Sequence, residues 1–398
     1  MQAKVPVSEE QDRLKRFRQR MECDFPEWEM AAFFGRVNQY YFSGTMQDGV
    51  LLIPRNGDPV YWVRRSYERA RAESLFPDIR PMQSFRDLAK EMGKVPDTCY
   101  IEAELVPIAL LERFRKHIPA KSFASLDKQI AYVRAVKSSY EIDLMRKSGE
   151  IHRHVLDDIV PLILREGMSE ADLGCELHSA LIAEGHHGIV RFSMFGNEIV
   201  LGQIAFGEHS LASTSFNGPG GAVGLSAAVP LLGSHDRKLG KGDLVFLDVG
   251  CGYEGYHTDK TAVYQFGAPL PERAVEAHRT CLEIQQEMAS LLRPGVIPRD
   301  IYRTVIADIP EKYQKDFMGY AGRQVPFLGH GVGLEVDEYP VLAEGFDEPL
   351  SVGMAIALEP KIGVSGVGMV GVENTFLVRP GGGESITGLS EGLIEVGF

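Results

Sequence analysis

Two apolar runs in this chain each end in a carboxylate, and that pattern constrains it more than any other feature. Leu244-Val245-Phe246-Leu247 leads into Asp248, and Met354-Ala355-Ile356-Ala357-Leu358 leads into Glu359. Uninterrupted apolar runs of this length read as strands buried in a core. Two further acids, Asp259 and Glu373, lead into the strand candidates 261–266 and 375–379. Adjacent antiparallel strands would place Asp248 and Asp259 side by side. Two bare carboxylates that close repel each other, and a cation between them is the natural compensation. His330 stands in Gly329-His330-Gly331-Val332-Gly333, on backbone that can approach another group closely. Each residue alone has a plainer reading as a turn former, a hydrogen-bonded loop imidazole or a paired acid at a core edge. The set of four acids and one imidazole, all at strand edges in one half of the chain, points to a divalent metal. Oxygen-rich ligation with one imidazole suits Mn²⁺, Co²⁺, Zn²⁺ or Fe²⁺.

The 398 residues are too many for one ordinary domain and suit two. A hydrophobic fraction of 44% is enough for two cores. The formal charge of -13 argues against a nucleic-acid surface, which needs a basic stripe to displace counterions. The cysteines at 23, 99, 175, 251 and 281 are scattered and never form a CxxC pair. They read as reduced thiols of a cytoplasmic protein. Residues 1–10 lack the apolar core of a signal peptide. No run of about 18 apolar residues is present, so no membrane span is expected.

The first part, 1–132, reads as an α/β domain. It has an Arg-rich helix candidate at 11–22, an apolar run at 29–34, and a hairpin made of 49–54 and 60–63 around Arg55-Asn56-Gly57-Asp58. The second part, 133–398, reads as α+β. Ser138 and Glu141 form a capping box that opens a helix with an apolar stripe at Leu144, Ile151, Val155 and Ile159. A second helix opens at Ser169 and stops near Gly185, and a third runs from Pro271 to Leu292. Strands are expected at 244–249, 261–266, 354–358 and 375–379.

These residues resemble the pita-bread metallopeptidases: methionine aminopeptidase, Xaa-Pro aminopeptidase, prolidase and the non-peptidase creatinase. The ligand order Asp, Asp, His, Glu, Glu is met by Asp248, Asp259, His330, Glu359 and Glu373, at intervals of 11, 71, 29 and 14 residues. Val136-Lys137-Ser138-Ser139-Tyr140-Glu141-Ile142 and Arg293-Pro294-Gly295-Val296 are typical of the same group, and Tyr40-Tyr41-Phe42-Ser43-Gly44 resembles the creatinase-type N-terminal domain. The resemblance implies a pita-bread fold for 133–398 and two divalent metal ions. Asp248 would chelate one, His330 and Glu359 the other, with Asp259 and Glu373 bridging. A metal-bridging water would be the nucleophile and Glu359 the proton carrier. It also implies a homodimer.

The chain departs from the peptidase pattern around the substrate. Asp337, in Asp337-Glu338-Tyr339-Pro340, stands where peptidases carry a second His. A further peptidase His falls near Phe216 or Asn217, and His209 is a shifted candidate for its role. Two basic positions are replaced by Ala262 and Gly371. His257, next to Asp259, reads as an outward-facing neighbour of a ligand. The implied activity is cleavage of short peptides at an Xaa-Pro bond, with Glu359, Asp337 and His209 as catalytic candidates. The alternative is a metal-dependent non-peptidase of the same fold, a C–N hydrolase or lyase acting on a small molecule.

Overall fold

The computed structural model describes residues 4–194, 196 and 198–397. The chain divides between Arg134 and Ala135 into two compact units.

The first unit is built on a six-stranded mixed sheet. Its strand order is Ile79–Pro81, Val60–Val63, Gly49–Pro54, Met30–Phe33, Thr98–Ile101 and Ser122–Ser125. The expected hairpin is present, with Leu51 opposite Tyr61. The outer strands pair in parallel through helical crossovers, giving the α/β character. The Arg-rich helix runs over Val7–Asp24 and buries Phe17 and Met21. The Phe17 ring meets Trp28, Phe33 and Phe42 edge-on, at 6.0, 5.3 and 5.5 Å between centroids.

The second unit is α+β. Leu244–Tyr253 and Tyr256–Phe266 form a long antiparallel hairpin in a four-stranded sheet. Val336–Ala343, Phe327–Val332, Ala355–Leu358, Asn374–Leu377 and Glu384–Ser385 make a second, all-antiparallel sheet. Thr261 of the hairpin bridges to Glu373, joining the two sheets. The helix Glu272–Leu291 buries Ala274, Ala277, Cys281 and Met288 in the core beneath them. Among the described residues, no helix is long and apolar enough to cross a membrane.

The expected capping box opens Ser139–Arg153, and a second opens Glu170–Glu184, which Gly185 ends in a left-handed turn. The buried face of the first of these helices differs from the expected stripe. Met145, Ser148, Gly149, His152 and Val155 point inward, while Leu144, Ile151 and Ile159 are only half-buried. Gly149 accounts for the rotation, because a Cβ there would lie 2.0 Å from the Ile386 carbonyl oxygen. The helix backbone itself packs on that strand end, and only glycine allows it.

One buried acid in the first unit has a measurable consequence. Neither carboxylate oxygen of Glu10 has a hydrogen-bond partner among the described residues. Burial pushes its pKa up to about 7 against the pull of Arg13, which is itself bonded to Glu9 and the Tyr41 carbonyl. Between the ordinary carboxyl range and about pH 7, the folded chain therefore holds a proton that the unfolded chain has lost. That contribution to stability is present at low pH and is lost as pH rises through this window. Glu10→Gln should leave the melting temperature nearly unchanged at about pH 4 and raise it at about pH 8. A melting-temperature series against pH checks this, and an equal shift at both pH values would contradict it.

Candidate metal centre

The hairpin places two acids on one face. Asp248 stands directly opposite Thr261, and Asp259 lies two residues before Thr261. Side chains alternate along a strand, so all three share a face. Both acids lie within strands rather than at their ends, because the hairpin extends to Tyr253 and Tyr256. The second sheet supplies the rest. His330 pairs with Ala357, and Glu359 follows two residues later on the same face. Leu358 pairs with Asn374, so Glu359 and Glu373 continue that antiparallel pair one residue out.

Asp248, Asp259, His330, Glu359 and Glu373 are all buried, and they meet in the interior. His330 Nε2 lies 3.8 Å from Asp259 Oδ2, 3.6 Å from Glu359 Oε1 and 3.7 Å from Glu373 Oε1. On the other side of the cluster stands a residue that sequence reasoning missed. Lys361 donates from Nζ to Asp248 Oδ2 at 3.2 Å, Glu359 Oε2 at 2.9 Å and Glu373 Oε2 at 2.7 Å. The Thr261 hydroxyl lies 2.9 Å from Asp248 Oδ1 and 3.0 Å from Glu373 Oε2. Lys361 lies two residues beyond Glu359 in the short strand Lys361–Val364, which no apolar run announces in the sequence.

Crowded acids without water shift strongly. Burial pushes Asp248 up to about 6 and Glu359 up to about 8, with Lys361 opposing both. Burial and the neighbouring Glu373 and Asp248 carry Asp259 well above the carboxylate range. Glu373 is held well below that range by Lys361 and His330, although burial opposes it. Burial opposes the charge on His330 too, yet Glu373, Asp337, Glu359 and Asp259 raise its pKa well above the ordinary value.

The His330 end fits a metal ion. Nδ1 of His330 lies 3.0 Å from the Gly331 carbonyl oxygen and donates to it, which turns Nε2 toward the three carboxylates. At 3.6 to 3.8 Å those oxygens are too far for hydrogen bonds from Nε2. Glu373 Oε1 is buried with no hydrogen-bond partner among the described residues. Facing acceptors at this spacing, with one oxygen orphaned, are what an ion among Asp259, His330 and Glu373 would resolve.

The substrate-side candidates divide. Asp337 lines a cavity with Phe192, Phe216, Asn217 and Val336, and the four acids and His330 form its floor. The backbone at Asp337 is left-handed, with φ 70, a conformation that Asp tolerates better than most residues. Phe216 and Asn217, where a peptidase His was expected, do face this cavity. His209 does not line it. Its Nδ1 is held 3.0 Å from buried Glu170. His257 is not outward-facing but fully buried. Its Nδ1 lies 3.1 Å from the Gly333 carbonyl oxygen and its Nε2 accepts from the Arg191 amide, so it ties two loops together.

Residues 13–136 match the model described as the Creatinase/Prolidase N-terminal domain. The Xaa-Pro dipeptidase of Pyrococcus furiosus is 27% identical over 88% of this chain and 91% of its own length. That of Pyrococcus horikoshii is 27% identical over 90% of this chain and 92% of its own. Among solved structures, the prolidase of Pyrococcus horikoshii superposes with a TM-score of 0.77 at 24% identity, covering 96% of this chain and all of that one. The Xaa-Pro dipeptidase of Bacillus anthracis gives 0.79 at 22% identity, covering 97% of this chain. The expected pita-bread fold is therefore present. Residues 143–380, more than half of the sequence, match the model of metallopeptidase family M24, and the chain belongs to that family.

Proposed function

We propose that this chain is a metal-dependent peptidase that cleaves short peptides at an Xaa-Pro bond. The observation that carries the reading is the buried His330 Nε2 facing three carboxylates beyond hydrogen-bond range, beside an orphaned Glu373 oxygen. The Xaa-Pro dipeptidases among its relatives favour a peptidase over a small-molecule hydrolase or lyase on the same fold.

Asp259, His330 and Glu373 would hold a divalent ion of the Mn²⁺, Co²⁺, Zn²⁺ or Fe²⁺ class. When bound, such an ion lowers the pKa of a water and polarises the scissile carbonyl. The chain's own groups do the rest. Glu359 presents Oε1 toward His330 while Lys361 secures Oε2, so one oxygen is fixed and the other is free to hold a proton. Glu359 is thereby placed to take a proton from a bound water and release it to the leaving nitrogen. The apolar walls Phe192, Phe216 and Val336 exclude water from a proline ring, and Asp337 sets an acidic group at the rim.

Chelated protein given Mn²⁺ at about one hundred times its dissociation constant should gain about 2.7 kcal/mol of stability. For a unit of this size that is roughly 5–10 °C in melting temperature. His330→Ala should abolish the gain, and an unchanged gain would place the ion elsewhere. A panel of Xaa-Pro dipeptides and Xaa-Pro-Yaa peptides tests the activity directly. Amino-acid release should require metal and fall by about a hundredfold or more in Glu359→Gln. Silence across the panel in metal-loaded protein would contradict the peptidase reading.

A further inference from the structure

We propose that the Lys361 ammonium takes the place of one of the family's two metal ions, so that this centre holds a single divalent ion at the His330 end. The inference rests on the metal-dependent reading above and concerns how many ions the site accepts.

An ammonium has three donors and no acceptor. Lys361 uses them on three carboxylates, Asp248, Glu359 and Glu373, at 3.2, 2.9 and 2.7 Å. Its side chain is wholly buried, so it has no contact with solvent to fall back on. The oxygens divide between the two cations. Glu359 and Glu373 each turn Oε1 toward His330 and Oε2 toward Lys361. Asp248 has both oxygens engaged, Oδ1 with Thr261 and Oδ2 with Lys361. It therefore has no oxygen turned toward the His330 end. A metal ion bound by these same Oε2 and Oδ2 atoms would sit about 2.0–2.2 Å from each. That position is the one the ammonium nitrogen fills.

Gly371 supplies a second, independent observation. It pairs with Lys361 across a hairpin, at a left-handed φ of 144. A Cβ at 371 would lie 2.6 Å from Lys361 Cα and 2.9 Å from Lys361 Cγ. The lysine stem runs through space that only glycine leaves open. Glycine at 371 thus leaves room for a basic group to enter the cluster from the facing strand.

The test is metal stoichiometry, read without any substrate. Wild-type protein is stripped with chelator and titrated with Mn²⁺ by calorimetry, and the bound metal is counted by mass spectrometry after excess ion is removed. One ion per chain is expected at saturation. Lys361→Ala should accept two, with its circular dichroism unchanged. If that variant does not fold, Lys361→Met keeps the stem's volume while removing the charge, and it should lose the one-ion limit. Two ions per wild-type chain would overturn the inference, as would one ion in a folded Lys361 variant. No ion in the wild type would overturn the metal reading beneath it, so the two failures are distinguishable.

Discussion

Four carboxylates are buried against one another at the junction of two sheets, and the second unit is organised around neutralising them. Four such charges far from water cannot coexist without cations, protons or both. Two groups in the chain answer this demand from opposite sides. Lys361 reaches Asp248, Glu359 and Glu373 within hydrogen-bond range, while His330 faces Asp259, Glu359 and Glu373 at a longer distance. The difference in distance separates a filled half of the site from a half that still calls for a cation. It also separates the oxygens of each glutamate into two roles.

The scaffold makes this arrangement rigid. The acids sit on antiparallel strands whose register is fixed by apolar cores on their other faces, so none can retreat from the cluster by a rotation of backbone. Thr261 is the joint: its backbone bridges to Glu373 and its hydroxyl lies between Asp248 and Glu373. His257 and the Lys137–Glu338 ion pair, 3.2 Å long and buried, hold the loops that flank the cavity. Asp337 lies at the start of the strand Val336–Ala343, next to Glu338. Asp337 thus brings an acidic group to the cavity beside a buried, paired neighbour.

Much of this was legible in the sequence. Apolar runs identified the strands beside Asp248, Asp259, Glu359 and Glu373 but not Phe327–Val332, Val336–Ala343 or Lys361–Val364, and the capping boxes located two helices within a residue. The convergence of the five candidate ligands followed from their shared position beside core strands. Three kinds of feature were not legible. The inner face of Ser139–Arg153 was misjudged because Gly149 brings backbone, not a side chain, against its neighbour. His209 looked free because its partner, Glu170, lies 39 residues away in sequence. Lys361 was passed over because a lysine beside acids is usually a solvated surface pair. Only the three-dimensional packing reveals that it is wholly buried and that Gly371 makes room for it.

The central claim is that one end of this carboxylate cluster is a metal site and the other is held by a resident ammonium. Crystals soaked in Mn²⁺ and measured on both sides of the manganese absorption edge would test it most directly. The account predicts one anomalous peak, bonded to His330 Nε2, Asp259 and Glu373, with Lys361 Nζ still against Asp248. A peak between Asp248 and Glu373 with Lys361 displaced, or no peak in the cluster at all, would contradict it.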